Sequence, residues 1–337
     1  MRYIGLDVHK TNTTACVIAA GGKVVKTLDV RSEPNGLQVI HDYMGTAEYV
    51  VMMESSTYSY KVYRFFESLG VDAHVVHARS LKIITESNKK TDKKDAESIG
   101  KILRLWKKGE MDLSISYIPT PKQMELKDIC RYREEISRKL GDEIRKIRAH
   151  MSRNCQELPT EYSNLSTKKA QRFIREAYSE DTTLQRRLGD YCRSLEEREE
   201  VAKDIEARLP DSKEVELLSD ILGIGRQTAV QIMSMIIDIG RFEDPEKLCA
   251  YFGLVPKVRD SGGKEHHGKM TKTGDKMMRE IMERVTLSHI LFCDSSITQY
   301  YHRKEKEMGT KKALITASRK MLTVIFAVLR DQHPFTA

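Results

Sequence analysis

Three short runs at the amino end, residues 2–8, 13–19 and 23–30, restrict the possible folds of this chain more than any other feature. Each is β-branched or alternates apolar with polar residues, the period-two pattern of a strand. Thr11-Asn12 separates the first pair, and Gly21-Gly22, a hairpin signal, the second. An antiparallel meander is therefore predicted. After it the pattern predicts a helix behind Pro34, a strand at 48–53, a helix near 58–69, a strand at 71–77 and a helix from Asp92 to Lys107. A meander continued by β-α-β-α units describes a mixed α/β sheet flanked by helices.

Beyond this region the period changes. Residues 113–212 are helical in pattern and highly charged. Leu184, Leu188, Tyr191, Leu195, Arg198, Ala202, Ile205 and Leu209 form a heptad seam with Arg198 as its one charged member. A rougher seam runs through Leu126, Ile129, Ile136, Leu140, Ile147 and Met151. Two such helices can fold back as a hairpin or pair between subunits, and the sequence does not choose. A third region, 213–337, opens with an apolar helix, the turn Gly223-Ile224-Gly225, and a second helix starting at Arg226. Glycine permits backbone closed to other residues, and the helix start offers free N–H groups to an anion. This is the pattern of a helix-hairpin-helix, although an ordinary turn between two helices has the same outline. A Gly-rich loop around Ser261 and two more helical stretches ending near Arg330 complete the chain.

The charge is uneven. Of the 57 Lys and Arg and 49 Asp and Glu, residues 255–330 hold 16 and 8, so this segment carries the whole net charge of +8. A basic segment on a neutral body suits a polyanion, since each neutralised phosphate releases counterions; a merely solvated basic surface is the plainer reading. No apolar stretch approaches the roughly 18 residues of a membrane span. The chain starts on a strand pattern rather than a secretory signal. Six scattered cysteines without a C-x-x-C pair argue against structural zinc and for a reduced, cytoplasmic setting. His266-His267 reads as part of a solvated basic loop.

Four acids stand at telling places. Asp7 shares a strand face with Tyr3 and Gly5, and the glycine leaves room for a ligand. Glu54 ends an apolar strand at the edge where α/β sites form. Asp92 and Asp95 lie three residues apart at a helix start, so both reach one face. Singly, each has a plain explanation: Asp7 a strand end, Asp92 an N-cap, Asp95 a first-turn acid favoured by the helix dipole. Together they suit two magnesium ions, which prefer carboxylate oxygen and in pairs stabilise both oxygens of a phosphoryl transfer.

Ile4-Gly5-Leu6-Asp7-Val8-His9-Lys10, Met53-Glu54-Ser55-Ser56 and Lys90-Thr91-Asp92-Lys93-Lys94-Asp95-Ala96 resemble the DEDD motif of the IS110 family of insertion-sequence transposases, related to Piv-type DNA invertases. Gly223-Ile224-Gly225 with Thr228-Ala229, Tyr251-Phe252-Gly253-Leu254-Val255-Pro256, Ser261-Gly262-Gly263 and Lys272-Thr273-Gly274 resemble its C-terminal domain. Glu54 is followed by Ser-Ser where the family has small residues and a glycine, and Met270-Thr271-Lys272 stands for a more usual Ile-Ser-Lys.

The resemblance implies a RuvC-like, ribonuclease H-fold catalytic domain (1–112), a coiled-coil insertion that mediates dimerisation (113–212) and a helical transposase domain (213–337). It implies Asp7, Glu54, Asp92 and Asp95 as ligands of Mg2+, with Mn2+ as a substitute, and Ser261 as nucleophile. It further implies donor and target DNA, an element-encoded bridge RNA, a dimeric or tetrameric homo-oligomer, no membrane, and a place at the prokaryotic nucleoid. Gly223, Gly225, Arg226, Lys264, Lys272 and Arg279 are the expected nucleic-acid contacts. A phosphoserine link would keep the energy of the broken bond and allow rejoining without ATP. Three competitors remain: a metal-dependent nuclease or resolvase using water, an actin-like kinase suggested by Ile4-Gly5-Leu6-Asp7 with Thr11, Thr13 and Gly21-Gly22, and a non-catalytic nucleic-acid-binding protein.

Overall fold

The computed structural model describes residues 1–77, 81, 91–208, 212–261, 264–270 and 274–336, with the backbone alone over 256–261 and 264–270. It divides into two compact units, Met1–Ile118 and Pro119–Ala337.

The first unit is built on a six-stranded sheet in the order β3-β2-β1-β4-β5-β6. β1 (Arg2–Val8), β2 (Asn12–Ile18) and β3 (Val24–Arg31) form the antiparallel meander. Gly22, at φ +89°, turns the second hairpin. β4 (Tyr49–Glu54) and β5 (Asp72–Val76) then run parallel to β1. Their crossovers are α1 (Pro34–Met44), with proline in its first turn where a missing N–H costs nothing, and α2 (Ser59–Ser68). A two-residue β6 (Ile115–Ser116) closes the edge antiparallel to β5; it is too short to show a period in the sequence.

Alternation of side chains sorts this sheet into two cores. Ile4, Leu6 and Val8 of β1 pack with Leu37, Ile40, Val62 and Phe66 of the first two helices. Tyr3 of the same strand faces the other way, with Cys16, Ile18, Ala96, Ile99 and Leu103. The last three belong to or meet α3 (Asp92–Lys107), which lies across β1 and β2.

The second unit opens with α4 (Pro121–Arg153), started by a full capping box in which Thr120 accepts from the N–H of Gln123 and the Gln123 side chain accepts from the N–H of Thr120. After α5 (Lys168–Ala177) the chain returns along α6 (Thr182–Arg208). Ile136, Leu140, Ile147 and Met151 of α4 interlock with Leu184, Leu188 and Tyr191 of α6. The two seams therefore pair within one chain, with Leu209 outside the described residues. Asp181 fastens the turn: it accepts from the N–H of Leu184 at 2.9 Å, from Gln156 at 3.0 Å, and bonds His150 at 2.7 Å.

The remaining core gathers α7 (Lys213–Ser219), α8 (Arg226–Ile236), α9 (Pro245–Tyr251), α10 (Lys276–Phe292), α11 (Ser296–Met308) and α12 (Thr310–Asp331), with Cys130 and Ile205 from the hairpin helices. Two expectations change here. Three helices, not two, end the chain, because Gly309 at φ +80° breaks the last stretch. The segment around Ser261 is not loop but a β-hairpin, β7 (Pro256–Ser261) against β8 (Lys264–Met270). His266 and His267 lie within β8 rather than in a loop. Charged and glycine-rich strands hide their period, because few apolar residues mark it.

Candidate active site

Asp7 is the penultimate residue of β1. It pairs with Thr14 on one side, and Leu6 pairs with Met53 on the other. Its neighbour on the same face, Gly5, is in contact with a helix. A Cβ there would stand 2.0 Å from the carbonyl oxygen of Ala96 and 2.2 Å from the N of Gly100. The space over Gly5 thus belongs to α3 rather than to a ligand, which corrects the expectation drawn from the glycine. What the close approach does is bring the start of α3 over the end of β1.

At that helix start Thr91, not Asp92, is the N-cap: its hydroxyl accepts from the N–H of Lys94 at 3.4 Å. Asp92 is exposed and free of the capping task that would have explained it. Lys93 reaches toward Asp29 of β3 at 3.9 Å, and Thr14 donates to the same carboxylate at 2.8 Å. Donor atoms of Asp7, His9 and Asp92 lie within 4.8 Å of one another. His9 Nε2 stands 3.3 Å from Asp7 Oδ2 and 3.7 Å from Asp92 Oδ1. Its backbone is fixed by an N–H bond to the Asn12 carbonyl and by the buried Ser32 hydroxyl, which donates to the His9 carbonyl at 2.9 Å.

Burial pushes the Asp7 carboxyl above its usual range; His9 pulls it down, and the charges of Asp92 and Asp95 raise it again. Asp95, half-buried, is thus near enough to Asp7 to be felt. Glu54 is the exposed last residue of β4, one step beyond the Leu6–Met53 pair and outside the three-residue cluster. His9 is the member that the motif reading passed over. Its signal was the i, i+2 spacing from Asp7 across a strand end.

In the second unit, Ser261 ends β7 and pairs with Lys264; their side chains, and all of Lys272, lie outside the described residues. The base of this hairpin is clamped. A Cβ on Gly274 would meet the Tyr251 carbonyl oxygen at 2.4 Å. Arg279 donates to the carbonyls of Gly274 at 2.7 Å and Phe252 at 3.2 Å, a bracing role. Asp275 caps α10 and accepts from Arg131 of α4 at 2.6 Å. Gly223, at φ +99°, sits under the backbone of His289 and Val285, whereas Gly225 and Arg226 are exposed at the start of α8.

Residues 4–155 match a family model described as a transposase of the DEDD type, and residues 215–302 match one described as the transposase IS116/IS110/IS902 family. The chain belongs to the IS110/IS116 family of transposases. It is similar to the transposase for insertion sequence element IS1111A of Coxiella burnetii, with 23% identity covering 99% of this chain and 91% of that protein. A transposase for insertion sequence element IS1533 of Leptospira borgpetersenii is 23% identical, covering 66% of this chain and 64% of the relative. The pilin gene-inverting protein of Moraxella lacunata is 30% identical over 35% of this chain and 38% of its own length, which supports the kinship with invertases.

As an IS110/IS116 transposase the protein is a DNA-cleaving and rejoining enzyme, and its DEDD domain implies use of a divalent metal. Carboxylate oxygens with one imidazole nitrogen form a donor set that fits such an ion. The actin-like kinase reading is set aside by this membership. Among the described residues no helix is long and apolar enough to cross a membrane.

Proposed function

We propose that this transposase cuts and rejoins the strands of an insertion sequence through a metal site of Asp7, Glu54, Asp92 and Asp95 and a serine nucleophile, Ser261. The observation that carries the reading is the meeting of Asp7 with Asp92 and His9 under α3. Nothing in the packing alone requires three ionisable groups there, and a raised Asp7 carboxyl is the state a bound cation would relieve. The meander continued by parallel strands, with helices on both faces, supports a ribonuclease H-like, RuvC-like domain over 1–112. On this reading 113–212 is the coiled-coil region, its seams paired as an intrachain hairpin that would meet other subunits as a unit in a dimer or tetramer, and 213–337 carries the serine.

Bound at these acids, Mg2+ would neutralise the scissile phosphate and stabilise the leaving oxygen. The chain's own groups do the rest. The Ser261 hydroxyl gives up its proton and forms a bond to phosphorus as the bond from phosphorus to the leaving deoxyribose oxygen breaks. That oxygen departs with a proton as a DNA hydroxyl. Attack by another DNA hydroxyl reverses the step and frees the serine, so the phosphodiester count is unchanged. Gly225 and Arg226, exposed at the start of α8, are assigned to a phosphate, which the positive end of that helix favours. Gly223 shapes the same turn, and Lys264 and Lys272 are assigned to phosphate contacts by their charge. Arg279 acts by holding the hairpin base.

We assign target choice to an element-encoded bridge RNA, with the protein working in the prokaryotic cytoplasm at the nucleoid. The test is to purify the full chain, sequence the RNA that accompanies it, and incubate the complex with matching donor and target DNA and Mg2+. A covalent protein–DNA adduct that disappears in Ser261→Ala is the expected result. Full-rate cleavage by Ser261→Ala would establish water as the nucleophile and make the enzyme a resolvase-like nuclease.

A further inference from the structure

We infer that His9 is a metal ligand in its own right, so that the site is of mixed nitrogen and oxygen character and favours Mn2+ over Mg2+. The inference rests on the metal reading above and adds a ligand that the four-acid motif does not contain. Three observations point to it.

The first is position. His9 Nε2 lies between the two carboxylates, 3.3 Å from one on β1 and 3.7 Å from one on α3, so an ion held by Asp7 and Asp92 meets the imidazole. The second is how the residue is held. Its main chain is tied at both polar groups, by Asn12 and by the buried Ser32, while its ring is more than half exposed and makes its nearest polar contacts to the two acids. Ser32 is itself locked by Thr13 at 2.8 Å and by its N–H bond to the Thr11 carbonyl. The anchored main chain and the contacts to both acids hold the ring at the mouth of the site, where an ion can reach it. The third is the absence of a packing role: an exposed ring buries little, so its place beside the acids is not a by-product of core formation.

Chemistry then sets the preference. Mg2+ is served by carboxylate and water oxygen and gains little from imidazole, whereas first-row transition ions gain from nitrogen. Removing His9 therefore costs Mn2+ affinity more than Mg2+ affinity. Asp7 and Asp92 supply the charge that both ions share.

The test uses the full chain and Mn2+ as the probe. Free Mn2+ is titrated by its electron paramagnetic resonance signal, Mg2+ is measured by competition, and spin-echo modulation reports nitrogen bound to the ion. The wild type is expected to show 14N modulation that vanishes when histidine alone is labelled with 15N. His9→Ala should lose that signal and weaken Mn2+ by about tenfold or more, with Mg2+ changed by no more than about twofold to threefold. His9→Asp should hold Mg2+ without the nitrogen signal, which separates lost ligation from lost folding. Unchanged 14N modulation in His9→Ala, or equal losses for the two ions, overturns the inference and leaves the four-acid site standing. Failure of the wild type to bind Mn2+ in a manner that Asp7→Asn abolishes would sink the metal reading itself, and this inference with it.

Discussion

Gly5 has no room for a side chain, and that single fact aligns the site. With helix backbone 2.0–2.2 Å from where its Cβ would be, Gly5→Ala must push α3 away from β1 and carry Asp92 and Asp95 with it. The expected cost is about 1–3 kcal/mol, as for other overpacked contacts, read as a lower urea midpoint. Mn2+ binding should fall as well, although no ligand has been changed. Asp7 illustrates the opposite trade. Its folded carboxyl is raised, chiefly by burial, so the native state binds a proton more tightly than the unfolded one. Stability from that group is then lost as pH rises from the ordinary value through the raised one, and at neutral pH the buried charge is a burden. In metal-free protein at pH 7, Asp7→Asn should melt at a higher temperature than the wild type. Adding Mg2+ should raise the wild-type melting temperature and leave the variant unmoved. A variant that melts lower in chelator would show that the carboxylate is stabilising as it stands.

Among the elements, α10 joins the serine hairpin to the long α4. Arg131 meets its cap Asp275, Arg138 meets Glu280, and Arg284 reaches back to the buried Glu134. For Asp275 burial acts upward, but the Arg131 bond and charge, with the N–H groups of Met277 and Met278, outweigh it and hold the carboxyl below its ordinary value. A depressed acid contributes stability that is fully present above the unfolded value of 3.8 and is lost as pH falls through the folded one. The wild type should therefore lose stability below about pH 4 more steeply than Asp275→Asn. Denaturant midpoints taken from pH 6 to pH 2 would check this, and parallel curves would refute it. Elements of this kind were unevenly legible in the sequence. The meander and α3 were plain because Val, Ile and Leu mark the period of every buried strand and helix face. Thr91 as the true cap was not, since three consecutive polar residues there compete for one role and only the turn geometry decides. β7 and β8 were hidden because Lys257, Arg259, Asp260, Glu265, His266 and His267 leave no apolar alternation. The i, i+2 spacing of His9 from Asp7 was too weak a signal alone, because it gains meaning only when a third group, Asp92, arrives from 83 positions further along.

At the scale of the molecule, the acids and the serine belong to different folding units. The first unit's clusters draw on residues no later than Ile118, and the second unit's on residues no earlier than Leu126. Each unit therefore has the apolar core that independent folding requires. The sheet of the first unit is complete with β6, and Asp7, His9, Glu54, Asp92 and Asp95 all lie within it. A fragment of residues 1–118 should fold cooperatively and bind Mn2+ with an affinity within about threefold of the full chain, since every ligand is present. It should form no covalent adduct with DNA, because Ser261 is missing. Full-length Ser261→Ala should behave alike in both respects while retaining the basic segment 255–330. If the fragment folds but loses Mn2+, a ligand from the second unit completes the site, and the division between metal unit and nucleophile unit is wrong. If instead the fragment alone cuts DNA at the rate of the whole chain, water is the nucleophile, and the serine hairpin has to be explained as a binding element.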